Sequence, residues 1–233
     1  IHCDGLLSYV RQVILHSRWE RRAGPAFPLT LMGVSWGGKL AAAYAGAYPD
    51  DIAALALLYP GLYSRLKPTW WQKMRLSWAS AVGWGHVTAP IPLGDPALFT
   101  GSPEWQEYIR RDELALHRVS VDFLLANLAL SARNEEWAAQ MRCPVLMMLA
   151  GQDEVIDNAA NRRFLGRMEQ ASTRCVEYPR ARHTLEFEPD PDVYIDELID
   201  WLNETLTTSV ADTGTAAQRP VRPHPEAVSG QVS

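Results

Sequence analysis

Three short stretches contain residue types that could together carry out nucleophilic chemistry. The first is Gly33-Val34-Ser35-Trp36-Gly37, a G-x-S-x-G pattern with an apolar run before it and an alanine-rich run after it. In such a pattern the serine stands on a sharp strand-to-helix turn, where flanking side chains at positions 33 and 37 are expected to collide, and Gly38 extends the small surface on which the helix packs. A serine hydroxyl is a weak nucleophile until a base takes its proton, and an imidazole base needs a carboxylate to orient it. Asp153, in Ala-Gly-Gln-Asp, and His183, in Arg-Ala-Arg-His-Thr, supply those two groups later in the chain. They are 30 residues apart, room for one helix and one strand. Glu154 and Asp157 compete for the role of acid, although Asp157 is better placed to cap the helix that follows. The other histidines, His2, His16, His86, His117 and His224, have no comparable context, and of them His86, in the 64–140 segment, is kept as a further candidate.

The elements that must position these residues follow from the hydrophobic pattern. Leu6, Val10, Val13 and Ile14 recur at helical spacing and predict an amphipathic first helix ending near His16, followed by a polar loop from Arg18 to Pro28. Leu29–Val34 and Ile52–Tyr59 read as buried strands, with a helix over Lys39–Tyr48 between them that Pro49 and Asp50 stop. A third buried strand is expected at Pro144–Leu149, a helix at Ala159–Met168, a strand at Cys175–Tyr178, and a last helix at Val193–Leu206. That last helix has Ile195, Leu198, Ile199 and Leu202 on one face, and Asp190 and Pro191 at its start. Strands alternating with helices predict a mostly parallel α/β sheet covered on both faces, with Ser35, Asp153 and His183 all at its carboxyl edge.

The alternation breaks between Ser64 and Gln140. Trp70, Trp71, Trp78 and Trp84 cluster there, breakers fill Pro90–Pro103, and Leu116, Val119 and Phe123 predict a long helix. This divides the chain into a core of 1–63 and 141–206, an inserted helical cap of 64–140, and a Thr/Ala/Pro/Ser/Val-rich tail of 207–233 expected to be disordered. An aromatic, partly basic cap could receive an acyl chain, tolerate a phosphate head group and touch a membrane surface transiently. The same tryptophans could equally pack the cap onto the core.

Composition narrows the function classes. A net charge of −5 argues against nucleic acid or an anionic membrane surface as the main partner, and no run approaches the roughly 20 apolar residues needed to span a bilayer. The three cysteines lack metal-site or disulfide spacing; Cys143 and Cys175, at strand starts, read as small buried hydrophobes. No leader segment is visible at Ile1, and a cytoplasmic location is the expectation.

The stretches Leu-Met-Gly-Val-Ser-Trp-Gly-Gly-Lys-Leu, Pro-Val-Leu-Met-Met-Leu-Ala-Gly-Gln-Asp and Ala-Arg-His-Thr-Leu-Glu-Phe-Glu resemble the α/β-hydrolase superfamily. They look most like its serine aminopeptidase S33-type branch, which includes lysophospholipases and monoacylglycerol lipases. The resemblance implies nucleophile Ser35, acid Asp153, base His183, and hydrolysis of a small-molecule acyl ester or lipid without a cofactor or metal. It also implies an oxyanion hole in which the backbone N–H of Trp36 is one donor. The family fold opens with further strands, one of whose loops gives the second donor. Here one helix and a loop precede the first strand, so those strands are expected to be absent from this sequence. Two other readings stay open. The Ser-Trp-Gly form of the turn is similar to that of proline iminopeptidases, for which Glu104 and Glu107 could bind a substrate amine. A catalytically inactive binding module on the same fold is the other.

Overall fold

The structure is a computed structural model that describes residues 2–20, 28–65 and 68–216. Its elements alternate as expected around one sheet. Helix α1 (Cys3–Glu20) is followed by β1 (Thr30–Val34), α2 (Trp36–Ala47) and β2 (Ala54–Leu58). After the intervening segment come β5 (Val145–Ala150), α6 (Asn158–Leu165), β6 (Thr173–Tyr178) and α7 (Asp192–Ala216). The four strands pair in parallel in the order β1-β2-β5-β6. β2 and β5 are buried at every position, as continuous apolar runs in the middle of a parallel sheet should be.

Each face of the sheet has its own apolar core. On one side Leu55, Leu57, Met147 and Leu149 pack with α1, α2, α6 and the helix Val121–Trp137; on the other Ala56, Leu58, Leu146 and Met148 pack with Tyr194 and Trp201 of α7. α1 runs past the expected end at His16, and its buried line is Cys3, Leu7 and Ile14, while Val13 is exposed. The expected loop therefore starts later than Arg18, and residues 21–27 lie outside the described residues. In α7 the expected Ile195, Leu198 and Leu202 pack against the core beside the buried Tyr194 and Trp201, while Ile199 faces solvent. α7 also continues through residues 207–216, the first part of the tail expected to be disordered; 217–233 lie outside the described residues.

The segment between β2 and β5 holds α3 (Trp70–Ala81), β3 (Thr88–Pro90), α4 (Pro103–Arg111), β4 (Arg118–Ser120) and α5 (Val121–Trp137). It is not purely helical, because β3 and β4 form an antiparallel pair. The helix expected across Leu116, Val119 and Phe123 starts only at Val121. Ser120 caps it by accepting from Phe123 N, so Val119 belongs to β4 and Leu116 is exposed. The tryptophans do not pack this segment onto the core. Trp70, Trp71 and Trp78 are 58%, 61% and 61% exposed, and no residue of α3 is buried. Cys143 is buried as expected, with burial pushing its thiol up to about 11. Cys175 is exposed, because β6 is an outer strand and Cys175 alternates away from the apolar face carrying Val176 and Tyr178.

The turn from β1 into α2 is shaped by backbone proximity. A Cβ on Gly33 would come within 2.7 Å of Gly37 O and Gly38 Cα, and one on Gly38 within 2.7 Å of Pro60 Cβ. A Cβ on Gly37 meets nothing within 4 Å, so the collision expected there does not occur. Gly38→Ala should therefore destabilise the fold by about 1–3 kcal/mol through overpacking. Gly37→Ala should be neutral or stabilising by up to about 1 kcal/mol, since alanine is the better helix former. Urea unfolding of the two variants tests the contrast, and equal effects would refute it.

α2 is buried along most of its length, including Lys39, which is only 4% exposed. The Lys39 ammonium donates to Asn127 Oδ1 at 2.8 Å and Ser131 Oγ at 3.0 Å, both on α5. Burial lowers its pKa from 10.5 to about 8. At pH 7 folded and unfolded chains both hold the proton, so the folded state bears the full cost of the buried charge. Between about 8 and 10.5 the unfolded chain binds the proton that the folded chain has released, so this group's contribution to stability rises with pH. Relative to Lys39→Met, the wild-type protein should gain about 3 kcal/mol from pH 7 to pH 10.5. A pH-independent difference between the two urea curves would refute this.

Candidate active site

Ser35, Asp153 and His183 follow β1, β5 and β6 respectively, and parallel pairing brings all three strand ends to one edge of the sheet. Ser35 has φ 48° and ψ −120°, a backbone region costly for a residue with a side chain. Main-chain bonds hold it there. Ser35 N donates to Leu58 O, while Ser35 O accepts from Gly38 N (2.9 Å) and Gly61 N (2.7 Å). The turn thus projects the hydroxyl from the sheet edge at the start of α2.

The three side chains form one hydrogen-bonded line. Ser35 Oγ lies 2.8 Å from His183 Nε2, and His183 Nδ1 lies 2.7 Å from Asp153 Oδ2. A carboxylate only accepts, so the ring proton belongs on Nδ1 and Nε2 is left to accept from the serine. Asp153 and His183 are 2% and 1% exposed. The buried carboxylate is fully engaged, its Oδ1 accepting from Val155 N (2.8 Å) and Ile156 N (3.0 Å).

The competing acids stand elsewhere. Asp157 caps α6 by accepting from Ala160 N, and Glu154 is exposed. His86 is exposed on the turn between α3 and β3. Glu107 is engaged by Arg110 and Arg111 on its own helix, and Glu104 is exposed in that helix's first turn. The Trp36 N–H sits in the first turn of α2, where helix N–H groups have no intrahelical acceptor.

Sequence reasoning missed the groups that pack the base in place. Tyr59 and Phe99 present ring edges to the imidazole, with centroids 4.9 and 5.7 Å away. Tyr59, with a positive φ of 36°, donates through its hydroxyl to Glu186 Oε2 at 2.6 Å, and burial with that bond raises its pKa. Thr184 N donates to Phe99 O, and Thr100 Oγ1 to Phe187 O. Only the position of Tyr59 at the end of an apolar run hinted at any of this.

Residues 1–190 match the family model described as serine aminopeptidase, S33. A monoacylglycerol lipase of Mycolicibacterium smegmatis is 22% identical over 181 residues, which are 76% of this chain and 63% of that protein. The chain thus spans less than two thirds of that relative's length. Among solved structures, the Paleococcus ferrophilus monoacylglycerol lipase superposes with a TM-score of 0.74 at 20% identity, over 88% of this chain and 76% of that one. A soluble variant of the Saccharomyces cerevisiae monoglyceride lipase, in complex with a substrate analog, gives 0.70 at 15% identity, over 87% and 68%. The structural likeness shows the α/β-hydrolase fold, and the extent of the family match shows that the chain belongs to the S33 serine aminopeptidase family.

Proposed function

We propose that the chain carries the catalytic residues of a serine hydrolase that cleaves carboxylic esters of small acyl lipids through an acyl-enzyme. The observation that carries this reading is the buried line from Ser35 through His183 to Asp153 at one sheet edge. In the proposed reaction His183 Nε2 takes the Ser35 proton as Oγ attacks the ester carbonyl, and Asp153 stabilises the imidazolium that forms. The Trp36 N–H, at the positive end of α2, donates to the oxyanion. Collapse of the tetrahedral intermediate expels the alcohol, which receives the proton from His183. Water then repeats the sequence on the acyl-enzyme and releases the carboxylic acid.

The aminopeptidase alternative has less support, because Glu107 is already engaged by two arginines. An inactive binding module would have no need for a serine held in a costly backbone conformation opposite an oriented imidazole. Ser35→Ala should lower turnover of p-nitrophenyl esters by at least about 10⁴-fold and abolish labelling by a fluorophosphonate probe; Asp153→Asn should cost about 10⁴-fold through the wrong ring tautomer. Undiminished activity in either variant would sink the assignment.

The 64–140 segment is proposed as the cap, and α3 as its contact with lipid. Trp70, Trp71, Met74 and Trp78 are exposed along this helix, which carries Lys73 and Arg75 and no acidic residue. That pairing of aromatic and cationic groups suits an interface of apolar chains and anionic head groups. No helix among the described residues is long and apolar enough to cross a membrane. The three unpaired cysteines suit a reducing compartment, in keeping with a cytoplasmic assignment. Trp70→Ser with Trp71→Ser should weaken sedimentation with phosphatidylglycerol-containing vesicles by at least about tenfold, given the apolar area removed. Unchanged sedimentation would remove α3 from the proposal.

A further inference from the structure

Lys39 is a buried cation that the hydrolytic scheme leaves without a role. Retaining an ammonium at 4% exposure against neutral oxygens is costly, and methionine would fill the same space. Its partners show what the charge could accomplish. Asn127 Oδ1 receives two donors, the Lys39 ammonium at 2.8 Å and the Trp36 indole N–H at 3.1 Å. Ser131 Oγ, the second acceptor for Lys39, itself donates to Asn127 O at 3.1 Å. The Trp36 ring also packs against Phe123, with centroids 4.9 Å apart. Asn134 closes the seam by donating through Nδ2 to Lys39 O.

We propose that Lys39 and Asn127 are positioning residues for ester hydrolysis, fixing Trp36 at the head of the nucleophile helix through one shared amide oxygen. The inference rests on the serine hydrolase reading and adds to it. An asparagine amide can present either its oxygen or its nitrogen to a neighbour. With the ammonium beside it, the flipped amide would set an NH₂ group against two donors and no acceptor. The cation therefore holds the oxygen toward both partners and strengthens the bond to the indole by polarising the amide. Trp36 directly follows the costly backbone of Ser35, and such a conformation persists only where its surroundings over-determine it. Main-chain bonds hold Ser35 from the sheet side, and the anchored indole holds its neighbour from the α5 side. A small rotation of the turn would misdirect both the Ser35 hydroxyl and the Trp36 N–H, which act only as the transition state forms.

The test measures kcat and KM on a p-nitrophenyl ester, with the fluorophosphonate labelling rate, in the complete protein. Lys39→Met and Asn127→Leu should each lower kcat by about tenfold or more with KM changed less than about threefold, the pattern of a lost transition-state interaction. The double variant should be no worse than the poorer single variant, because both break one junction. Asn127→Asp keeps an acceptor for both donors and should restore kcat to within about threefold of wild type. If the larger changes prevent folding, Ser131→Ala removes one acceptor from Lys39 and should still lower kcat about threefold, with KM unchanged. Folded variants with wild-type kcat, or losses confined to KM, would overturn the positioning role. A wild-type protein that neither labels nor hydrolyses the ester would instead overturn the hydrolase reading beneath it.

Discussion

Asp153 accepts three hydrogen bonds inside the protein, two from the Val155 and Ile156 main chain and one from His183 Nδ1. No other interaction constrains so much of the structure. Buried at 2% exposure, the carboxylate draws its hydrogen bonds from those donors alone among the described residues. It therefore fixes the turn after β5, the ring tautomer of His183 and the direction of Nε2 together. Ser35 is then the one partner left for that nitrogen. Because the two turns belong to neighbouring strands, a shift of register between β5 and β6 would break the pair, so the sheet is held to the geometry its site requires.

The same economy governs α2. Its alanines and glycines bring the helix close to the sheet on one side and α5 on the other, and Gly38 lies against Pro60 at the end of β2. Close approach buries polar groups at that seam, and most of them are answered by protein, with Asn134 Oδ1 left without a partner. Lys39, Asn127, Ser131 and Asn134 answer one another across it. Burial of the ammonium is the cost, and its lowered pKa records it.

How much of this could be read in the chain depends on whether the signal is local. The strands around Leu57 and Met147 were legible because a doubly covered parallel strand is apolar at every position, and the one around Leu31 as a short apolar run, although Met32 and Val34 on it are exposed. Ser35 was legible because its turn admits little but glycine at 33 and 38, Asp153 because it follows the buried β5, and His183 because it follows a short strand, β6, though alternate residues of that strand are exposed. Between β2 and β5 the pattern misleads. Leu116, Val119 and Phe123 have helical spacing, yet a Ser120 cap begins the helix four residues after Leu116, and the β3–β4 pair joins segments some 30 residues apart. The tryptophans of α3 suggested packing and face outward. Asn127 and Phe99 gave no signal, since their roles exist only once distant elements meet.

Those distant meetings also explain why the 64–140 segment cannot be treated as an independent lid. It grips the rest of the protein at several places, and two of them reach Ser35 and His183. α5 holds α2, the helix that Ser35 begins, while the stretch from Pro96 to Thr100 holds the loop carrying His183 through Phe99 O, Thr100 Oγ1 and the Arg182 side chain on Ala97 O. Trp105 stacks on Phe187 of the same loop, and Gln106 Nε2 ties back to Thr100 O. Ser35 and His183 are thus each braced from the same 64–140 segment, one through a helix and the other through a short turn. Movement of the whole segment would pull on both at once and disturb the 2.8 Å Ser35–His183 contact. α3 has none of its residues buried, yet it too is tied to α5, through Ser80 Oγ donating to Asp122 Oδ1 at 2.9 Å. Any opening that admits a substrate without dismantling the site must therefore leave α5 and the Pro96–Thr100 turn in place.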